Sequence, residues 1–285
     1  MDHKPVLTDK VMQYLDPQPG KIIIDGTLDG CGHSQEISKR LQGNGLIIGI
    51  EIDKDLVKQA IKKNIRGLIV EKNNYKNMKE VIAKHNIRSV DGVLLDFGMS
   101  SWHLEESGRG FSFQRNEPLD MRFSHEEEKT AASIINSLPE NDLADIFQQY
   151  GEERHARKIA HAIVATRKHE RIIQTQQLVE IVRRCTPRAF FRTHSTTKIF
   201  QALRIAVNDE LNNVRAGIQA AMEVVKPGGR VVAISFHSLE DRIVKSAFRT
   251  WGTVLTKKGV SASRAEQLLN PRSRSARLRA WENKS

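Results

Sequence analysis

Glycines and acidic residues are concentrated in one segment of the sequence, directly after its first strongly apolar run. The segment is Asp25-Gly26-Thr27-Leu28-Asp29-Gly30-Cys31-Gly32-His33-Ser34, and a helical pattern follows it. Glycine lets the backbone turn sharply and approach a ligand closely, and open α/β sheets bind ligands beyond the carboxyl ends of their strands. The spacing lacks the G-x-G-x-x-G pattern, so it favours a nucleoside without a pyrophosphate over the dinucleotide of an oxidoreductase. A plain strand–helix turn is the alternative.

Two carboxylates follow later apolar runs. Glu51 lies about 20 residues beyond the glycine loop, where a carboxylate accepts hydrogen bonds from both hydroxyls of a ribose. The alternative is a solvated charge beside Asp53 and Asp55, and the loop and the carboxylate together favour the ribose role. Two roles are equally open for Asp96: it could bind an amine of a cofactor or substrate, or it could cap its own loop.

The elements that would position these residues are short and rich in β-branched side chains. Runs at 22–24, 46–50, 68–70 and 93–95 predict buried parallel strands. Helical patterns lie between them, at 34–42, 54–64 and 76–85. Strands and helices that alternate at this spacing predict an α/β fold with a doubly wound parallel sheet.

The alternation stops after the fourth strand. Residues 97–130 show no sustained period, and a loop of that length in a compact protein is usually functional. Residues 131–225 are helical in pattern, and a strand pattern returns at 230–236. We therefore expect an α/β domain in two parts, 1–105 and 206–285, that is interrupted by a mostly helical substrate-recognition domain at 106–205.

Positive charge is concentrated in two stretches of the chain, which carries a formal net charge of +11. Residues 151–200 hold 11 basic and 4 acidic residues, residues 271–285 hold 5 basic and 1 acidic residue, and the rest sums to zero. Clustered cations favour a phosphate-rich partner such as nucleic acid, because binding releases condensed counterions. A helix face kept soluble by Arg and Lys is the alternative.

Four arginines give the C-terminal stretch its charge. They are Arg272, Arg274, Arg277 and Arg279. We expect this basic tail to contact RNA phosphates. The alternative is that the arginines brace the tail against the α/β domain, through carboxylates such as Glu240 and Asp241.

The composition excludes several classes of protein. Hydrophobic residues make up 39% and charged residues 28%, which is typical of a globular chain and excludes a collagenous or disordered one. No apolar run approaches the roughly 18 residues of a membrane span, and the first residues lack the apolar segment of a secretory signal. Cys31 and Cys185 have no neighbours at metal-ligand spacing. We expect a cytoplasmic protein without a metal site.

Several longer strings carry a resemblance that extends over nearly the whole chain. They are His3-Lys4-Pro5-Val6-Leu7, Asp25-Gly26-Thr27, Gly32-His33-Ser34, Asp91-Gly92-Val93-Leu94-Leu95-Asp96, Arg109-Gly110-Phe111-Ser112-Phe113, Pro118-Leu119-Asp120-Met121-Arg122, Tyr150-Gly151-Glu152-Glu153, Phe200-Gln201-Ala202-Leu203-Arg204-Ile205, Ile234-Ser235-Phe236-His237-Ser238-Leu239-Glu240-Asp241-Arg242 and Asn270-Pro271-Arg272-Ser273-Arg274-Ser275. The chain resembles the RsmH (MraW) family of S-adenosylmethionine-dependent methyltransferases, which act on the exocyclic amine of a cytidine in small-subunit ribosomal RNA.

The resemblance implies a fold, an activity, a cofactor and partners. The implied fold is a Rossmann-like class I methyltransferase with a helical insertion, and the implied activity is N4-methylation of a cytidine near the decoding centre of 16S ribosomal RNA, with S-adenosylmethionine. The family's cofactor contacts fall on Cys31, Gly32, His33, Glu51, Tyr75, Asp96 and His103. Asp96 is the candidate for orienting the amine or the cofactor. The implied partner is small-subunit ribosomal RNA or the assembling 30S subunit, with no DNA and no membrane.

Four of these residues depart from the usual pattern of the family. It has glycine where this chain has Cys31, aspartate for Glu51, phenylalanine for Tyr75 and glutamine for His103. Tyr75 keeps an aromatic face and Glu51 keeps the carboxylate. Cys31 places a side chain at a loop position where positive φ is expected. Cofactor affinity is therefore the open question, and a non-catalytic RNA-binding protein on a methyltransferase fold is the alternative function.

Three further groups each have two open interpretations. His33 could act as a general base, although its place in a cofactor loop favours a positioning hydrogen bond. Phe111 and Phe113 could stack a flipped-out base, and packing of their loop against the sheet is slightly favoured over that role. Residues 237–242 could shape the target pocket or cap the helix that follows the strand.

Overall fold

The computed structural model describes residues 5–186 and 194–284, so His3 and Lys4 of the N-terminal string lie outside the described residues. Its strands are β1 (Ile22–Asp25), β2 (Leu46–Glu51), β3 (Leu68–Lys72), β4 (Val90–Asp96), β5 (Val225–Ser235), β6 (Thr253–Val254), β7 (Val260–Ser261) and β8 (Arg277–Glu282). They form one sheet in the order β3-β2-β1-β4-β5-β8-β6, with β7 paired to β8. Strands β1 to β5 are parallel, and β8 runs antiparallel to β5. The predicted doubly wound, Rossmann-like α/β class is confirmed.

Apolar side chains hold the parallel strands in register. Ile23 pairs with Ile47 on β2, and Ile24 pairs with Val93 on β4. All four side chains are fully buried. Strands that are covered on both faces appear in a sequence as continuous apolar runs. The strand order reverses between β1 and β4, and ligands of open α/β sheets bind beside such a reversal, at the carboxyl ends of the strands.

The helices are α1 (Thr8–Leu15), α2 (Gly32–Leu41), α3 (Lys54–Lys62), α4 (Met78–Lys84), α5 (Ser101–Glu105), α6 (Ala131–Ser137), α7 (Glu140–Gln149), α8 (Ala156–Arg167), α9 (Thr175–Cys185), α10 (His194–Asn208), α11 (Glu210–Val224), α12 (Ser238–Ala247) and α13 (Arg264–Leu269). One apolar core joins α4, α11 and α12 to the sheet, through Met78, Ile218 and Val244. Another joins α1 and α2 to it, through Val11 and Ile37. Among the described residues, no helix combines the length and the apolar character needed to cross a membrane.

The chain forms two compact units. As far as the structure describes them, Met1–Met99 and Leu211–Ser285 form a sheet unit, and Ser100–Glu210 forms a helical unit. The helical unit begins before the predicted limit at 105/106 and ends beyond the predicted limit at 205/206, because it includes α5 and all of α10. The pattern of one sheet built from two distant parts of the chain is the one expected from the sequence.

The return of the chain to the sheet differs from the expectation. Helix α11 ends at Val224, before Pro227, and β5 already begins at Val225. Proline disfavours the helical conformation in the residue that precedes it, so the helix must end before Lys226. The extra residues of β5 pair irregularly with β4, with a shift in register between Val90 and Gly92.

Part of the C-terminal stretch that the sequence predicted to be a basic tail belongs to the sheet. Residues Arg277–Glu282 form β8, which pairs with β5. The guanidinium of Arg279 is buried and donates two hydrogen bonds to Asp241, at 2.7 and 3.0 Å. Arg277 lies 3.5 Å from the same carboxylate. The expected phosphate contact is therefore wrong for Arg279, and the alternative of a brace through Asp241 is confirmed.

Candidate functional site

The glycine loop joins β1 to α2 by close backbone contacts. A Cβ on Gly26 would lie 2.6 Å from Leu95 and 3.3 Å from the Cβ of Tyr75. A Cβ on Gly32 would lie 2.9 Å from the ring of Pro5. Such distances leave no room for a side chain, so these two glycines are needed where they stand.

Cys31 occupies a left-handed backbone conformation, with φ 61°. Its side chain is fully buried in a small apolar cluster with Leu28 and Ala60. Burial raises the pKa of the Cys31 thiol to about 12. The departure from glycine therefore strains the backbone, while the side chain is held in the protein interior.

Glu51 is held at the end of β2 by two backbone groups. The N–H of Asp29 donates to its Oε2 at 3.0 Å, and the N–H of Asp53 donates to its Oε1 at 2.8 Å. Asp53 in turn caps α3 by accepting from the N–H of Asp55. Burial raises the pKa of Glu51 to about 7, although these hydrogen bonds lower it. The carboxylate is thus fixed against the glycine loop.

His33 and Asp96 meet across the carboxyl ends of β1 and β4. His33 Nε2 lies 3.3 Å from Asp96 Oδ2, and the two side chains are only 7% and 12% exposed. Three buried side-chain atoms have no hydrogen-bond partner among the described residues. They are Nδ1 and Nε2 of His33 and Oδ1 of Asp96. The N–H of Asp96 donates to Thr27 Oγ1 at 2.7 Å, which ties β4 to the loop. Buried polar atoms of this kind indicate a missing ligand.

Asp25 and Asp29 add two carboxylates that sequence reasoning left without a role. Asp25 is buried and accepts a hydrogen bond from the Ser34 hydroxyl at 2.6 Å. Burial raises the pKa of Asp25 to about 6. Burial and the charge of Glu51 raise the pKa of Asp29 well above its usual value. Their position beside Glu51 and Asp96 could have been anticipated, since all four lie at carboxyl ends of neighbouring strands or in the loop itself.

Tyr75 lies beyond β3, in a short 3-10 turn that Asn74 caps. Its ring is 5.7 Å from that of Phe97, at an angle of 57°. A Cβ on Gly217 of α11 would lie 2.4 Å from the ring, so the ring rests directly on the helix backbone. The structure thus brings an aromatic face to the same edge of the sheet as the loop and Glu51.

His103 belongs to the helical unit, and its cofactor contact stays a prediction. Its ring packs edge-on against Phe111 at 5.1 Å and Phe123 at 5.0 Å, and those two rings stack on each other at 5.3 Å. Phe113 packs edge-on against Phe200. Phe111 and Phe113 thus pack against other aromatic residues of the helical unit, and both packing against the sheet and a contact with a target base stay predictions.

Residues 237–242 begin α12. The backbone N–H of Glu240 donates to His237 Nδ1 at 3.4 Å, and the backbone N–H of His237 donates to Glu240 Oε2, also at 3.4 Å. This reciprocal arrangement is a capping box, which satisfies free N–H groups at the start of the helix. The capping interpretation is confirmed, and a contact with the target base stays a prediction.

The assembled site suits a cationic nucleoside. Four carboxylates meet in it, so a positively charged ligand would be attracted. Glu51 suits ribose hydroxyls and Tyr75 suits a base, while His33 and Asp96 retain buried atoms to be satisfied. S-adenosylmethionine, with its sulfonium and amino groups, fits this set of residues.

The chain is similar to known proteins over its whole length. The model of the MraW methylase family matches residues 1–284. The ribosomal RNA small subunit methyltransferase H of Dictyoglomus thermophilum is 42% identical, over 99% of this chain and 97% of that protein. The protein of that name from Deinococcus deserti is 46% identical, over 98% and 93%. An rRNA methylase from Streptococcus thermophilus has a solved structure that matches with a TM-score of 0.42 and 8% identity, over 98% of this chain and 94% of that one. The resemblance found in the sequence is confirmed, and the chain belongs to the MraW methylase family.

Proposed function

We propose that this chain transfers a methyl group from S-adenosylmethionine to the N4 amine of a cytidine in small-subunit ribosomal RNA, near the decoding centre. The observation that carries the proposal is the buried pair His33–Asp96, in which Asp96 Oδ1 and both ring nitrogens of His33 have no hydrogen-bond partner among the described residues. It lies at the carboxyl edge of the sheet, next to Glu51. The names of the relatives supply the class of RNA.

In this proposal the cofactor is held mainly by residues at three strand ends. Glu51 accepts the ribose hydroxyls, Tyr75 lies against the adenine, and the backbone of Cys31 and Gly32 follows the cofactor closely. His103 adds a contact that rests on the family resemblance alone. When bound, S-adenosylmethionine supplies an electrophilic methyl group on a cationic sulfur. The surrounding carboxylates favour that cation over the neutral thioether product, which promotes product release.

Asp96 is assigned to the target amine. The lone pair of a cytosine amine is delocalised into the ring, so the amine is a weak nucleophile. Asp96 Oδ1, which has no partner among the described residues, can accept one N–H of this amine and fix the direction of its lone pair. Most of the acceleration then comes from holding the nitrogen in line with the methyl group. The nitrogen forms a bond to the methyl carbon as the bond from that carbon to sulfur breaks, with the electron pair left on sulfur, and the nitrogen then loses one proton to water.

The partner in this proposal is ribosomal RNA, free or in the assembling 30S subunit, in the cytoplasm. The helical unit offers a basic surface for it. Exposed cations on and beside α8 and α9 are Arg154, Arg157, Lys158, Lys168, Arg171, Arg183 and Arg184. Phosphate contacts from such a surface fix the register of an RNA without selecting its sequence.

Mass analysis tests the reaction. Small-subunit RNA from cells that lack this gene is incubated with the purified protein and S-adenosylmethionine, digested to nucleosides, and analysed. We expect N4-methylcytidine from the parent protein, and at least about 100-fold slower formation with Asp96→Ala, which removes the oriented acceptor. A methyl group on carbon 5, or on another nucleoside, would contradict the assignment. The alternative of a non-catalytic protein predicts RNA binding without any product.

A further inference from the structure

The sheet unit carries a groove on the outer side of α11 and α12. It encloses about 550 Å³. It is lined from α11 by Arg215, Gln219, Met222 and Glu223, and from α12 and the turn after it by Arg242, Ile243, Ser246, Ala247, Thr250 and Trp251. None of these residues has a role in the cofactor site.

One end of the groove lies at the edge of the sheet that bears the cofactor site. Helix α12 begins just after β5 reaches that edge, and α11 runs from the same edge back to the start of β5. Gly217 of α11 rests on the ring of Tyr75. An RNA strand that leaves the cofactor site along these two helices would therefore enter the groove at Arg215 and Arg242.

The exposed side of α12 is basic. Arg242, Lys245 and Arg249 are exposed, whereas Glu240 is buried and Asp241 is paired with Arg279. From 242 to 265 the chain has six basic residues and no acidic one. A count of charges along the sequence does not reveal this surface, because Glu240 and Asp241 at the start of the helix cancel two of the cations.

The residues that α11 contributes to the groove leave its net charge positive. Arg215 adds a cation near the end of the groove that lies beside the cofactor site. Glu223, the acidic residue of the lining, forms an ion pair with Lys79. The groove as a whole is therefore complementary to a polyanion.

An exposed, fixed aromatic ring lies at the other end of the groove, away from the cofactor site. Trp251 is 41% exposed. Its ring packs edge-on against Trp281 at 4.6 Å, and its carbonyl accepts a hydrogen bond from the Trp281 indole at 2.5 Å. Met222, Ile243 and Ala247 provide apolar surface between this ring and the arginines. Aromatic rings beside cations are the usual means of binding unpaired bases.

We propose that this α11–α12 groove binds the single-stranded RNA segment that adjoins the target nucleotide. Bases stack on Trp251, and Arg215 and Arg242 contact the phosphates. A single strand is specified because a base can stack on a side chain only when it is unpaired. The inference rests on the proposed function, since that function supplies the RNA.

Fluorescence anisotropy of a labelled oligouridylate, at several salt concentrations, tests the groove. We expect Arg215→Ala with Arg242→Ala to raise the Kd at least about tenfold and to lower the log–log salt slope by about 0.7 per lost phosphate contact. Ser246→Glu places a negative charge on the exposed lining and should weaken binding in the same way. Arg40→Ala with Lys62→Ala, which removes two exposed cations elsewhere on the sheet unit, is the matched control and should leave the Kd within about twofold.

Trp251→Leu separates stacking from charge. It should raise the Kd with an unchanged salt slope, because no phosphate contact is lost. Its melting temperature and cofactor affinity show whether the contact with Trp281 is needed for folding, and Ser246→Glu tests the same surface without touching that contact. Photo-crosslinking of RNA that contains 4-thiouridine should label the peptide that includes Trp251.

The outcomes distinguish the groove from the reaction. If the groove variants bind oligouridylate like the parent, the inference is overturned, whether or not N4-methylcytidine is formed. If they bind the naked RNA normally but lose affinity for the 30S subunit, the groove takes a ribosomal protein instead. If the parent forms no N4-methylcytidine and yet the variants lose RNA affinity, the proposed reaction fails while the groove stands.

Discussion

The backbone N–H of Asp29 donates a hydrogen bond of 3.0 Å to the carboxylate of Glu51. This bond joins the glycine loop after β1 to the carboxyl end of β2. Glutamate is one methylene longer than the aspartate usual in the family, and this side chain is fixed at both oxygens by backbone groups. The loop and the carboxylate that we propose binds the ribose are thereby positioned before any ligand arrives, which reduces the ordering that binding requires.

Removing this carboxylate should weaken cofactor binding. Glu51→Ala should cost about 1.5–3 kcal/mol of S-adenosylmethionine affinity, the usual range for hydrogen bonds to a charged group. Titration calorimetry measures the effect, with Glu80→Ala, a change at an exposed carboxylate, as the control. An unchanged affinity would remove Glu51 from the site.

Stability without the cofactor should fall as pH rises across the acidic range. Burial raises the pKa of Glu51 from 4.5 to about 7 and that of Asp25 from 3.8 to about 6. The folded state therefore binds these protons more tightly than the unfolded chain. Their contribution is complete below the unfolded values and is lost as pH rises through the folded values. Urea denaturation at a series of pH values should show this decline, and Glu51→Gln should flatten it. Parallel curves for the two proteins would show that Glu51 titrates normally.

The strained backbone at Cys31 predicts an order of stability. Cys31→Gly and Cys31→Ala remove the same buried sulfur, but only glycine adopts φ 61° without strain. The glycine variant should therefore be more stable than the alanine variant by about 1 kcal/mol. It should also bind S-adenosylmethionine at least as well as the parent. Equal stability of the two variants would show that the left-handed conformation is not strained here.

Arg279 should matter for folding and not for RNA. Its side chain is 5% exposed and its partner Asp241 is 16% exposed, so Arg279→Ala leaves a nearly buried carboxylate without its main partner. We expect a loss of about 3 kcal/mol in the free energy of unfolding, with an intact salt slope of RNA binding. Arg274→Ala, at an exposed position of the same segment, is the control and should unfold like the parent. A reduced salt slope for Arg279→Ala would restore the phosphate contact.

The sheet and the loop could be predicted because their signals are local. Ile23, Ile47 and Val93 lie in unbroken apolar runs, which parallel strands require, and glycines mark the loop. Glu51 could be found because it ends one of these runs. The family strings then supplied the cofactor, which no spacing in the chain would have identified.

Other features depend on which charges meet after folding, and a sequence count does not show this. The sequence predicted that Arg279 is an exposed cation of a basic tail, but β8 places its side chain against Asp241. In a count of charges along the sequence, Glu240 and Asp241 mask the basic surface around Arg242, although their side chains point into the protein. The position of Asp25 at a strand end could be read from the sequence, but its raised pKa could not, because it follows from complete burial in the fold.

The place of β8 has a consequence for biosynthesis. Its neighbour β5 is made only after the whole helical unit, and β8 is made later than β5. Domains usually fold as units while a chain is still being synthesised. The sheet unit cannot do so until residue 282 has been made, because the antiparallel partner of β5 and the brace on Asp241 both come from β8. A chain that stops before β8 therefore exposes one side of β5, and the sheet is complete only after β8 has left the ribosome.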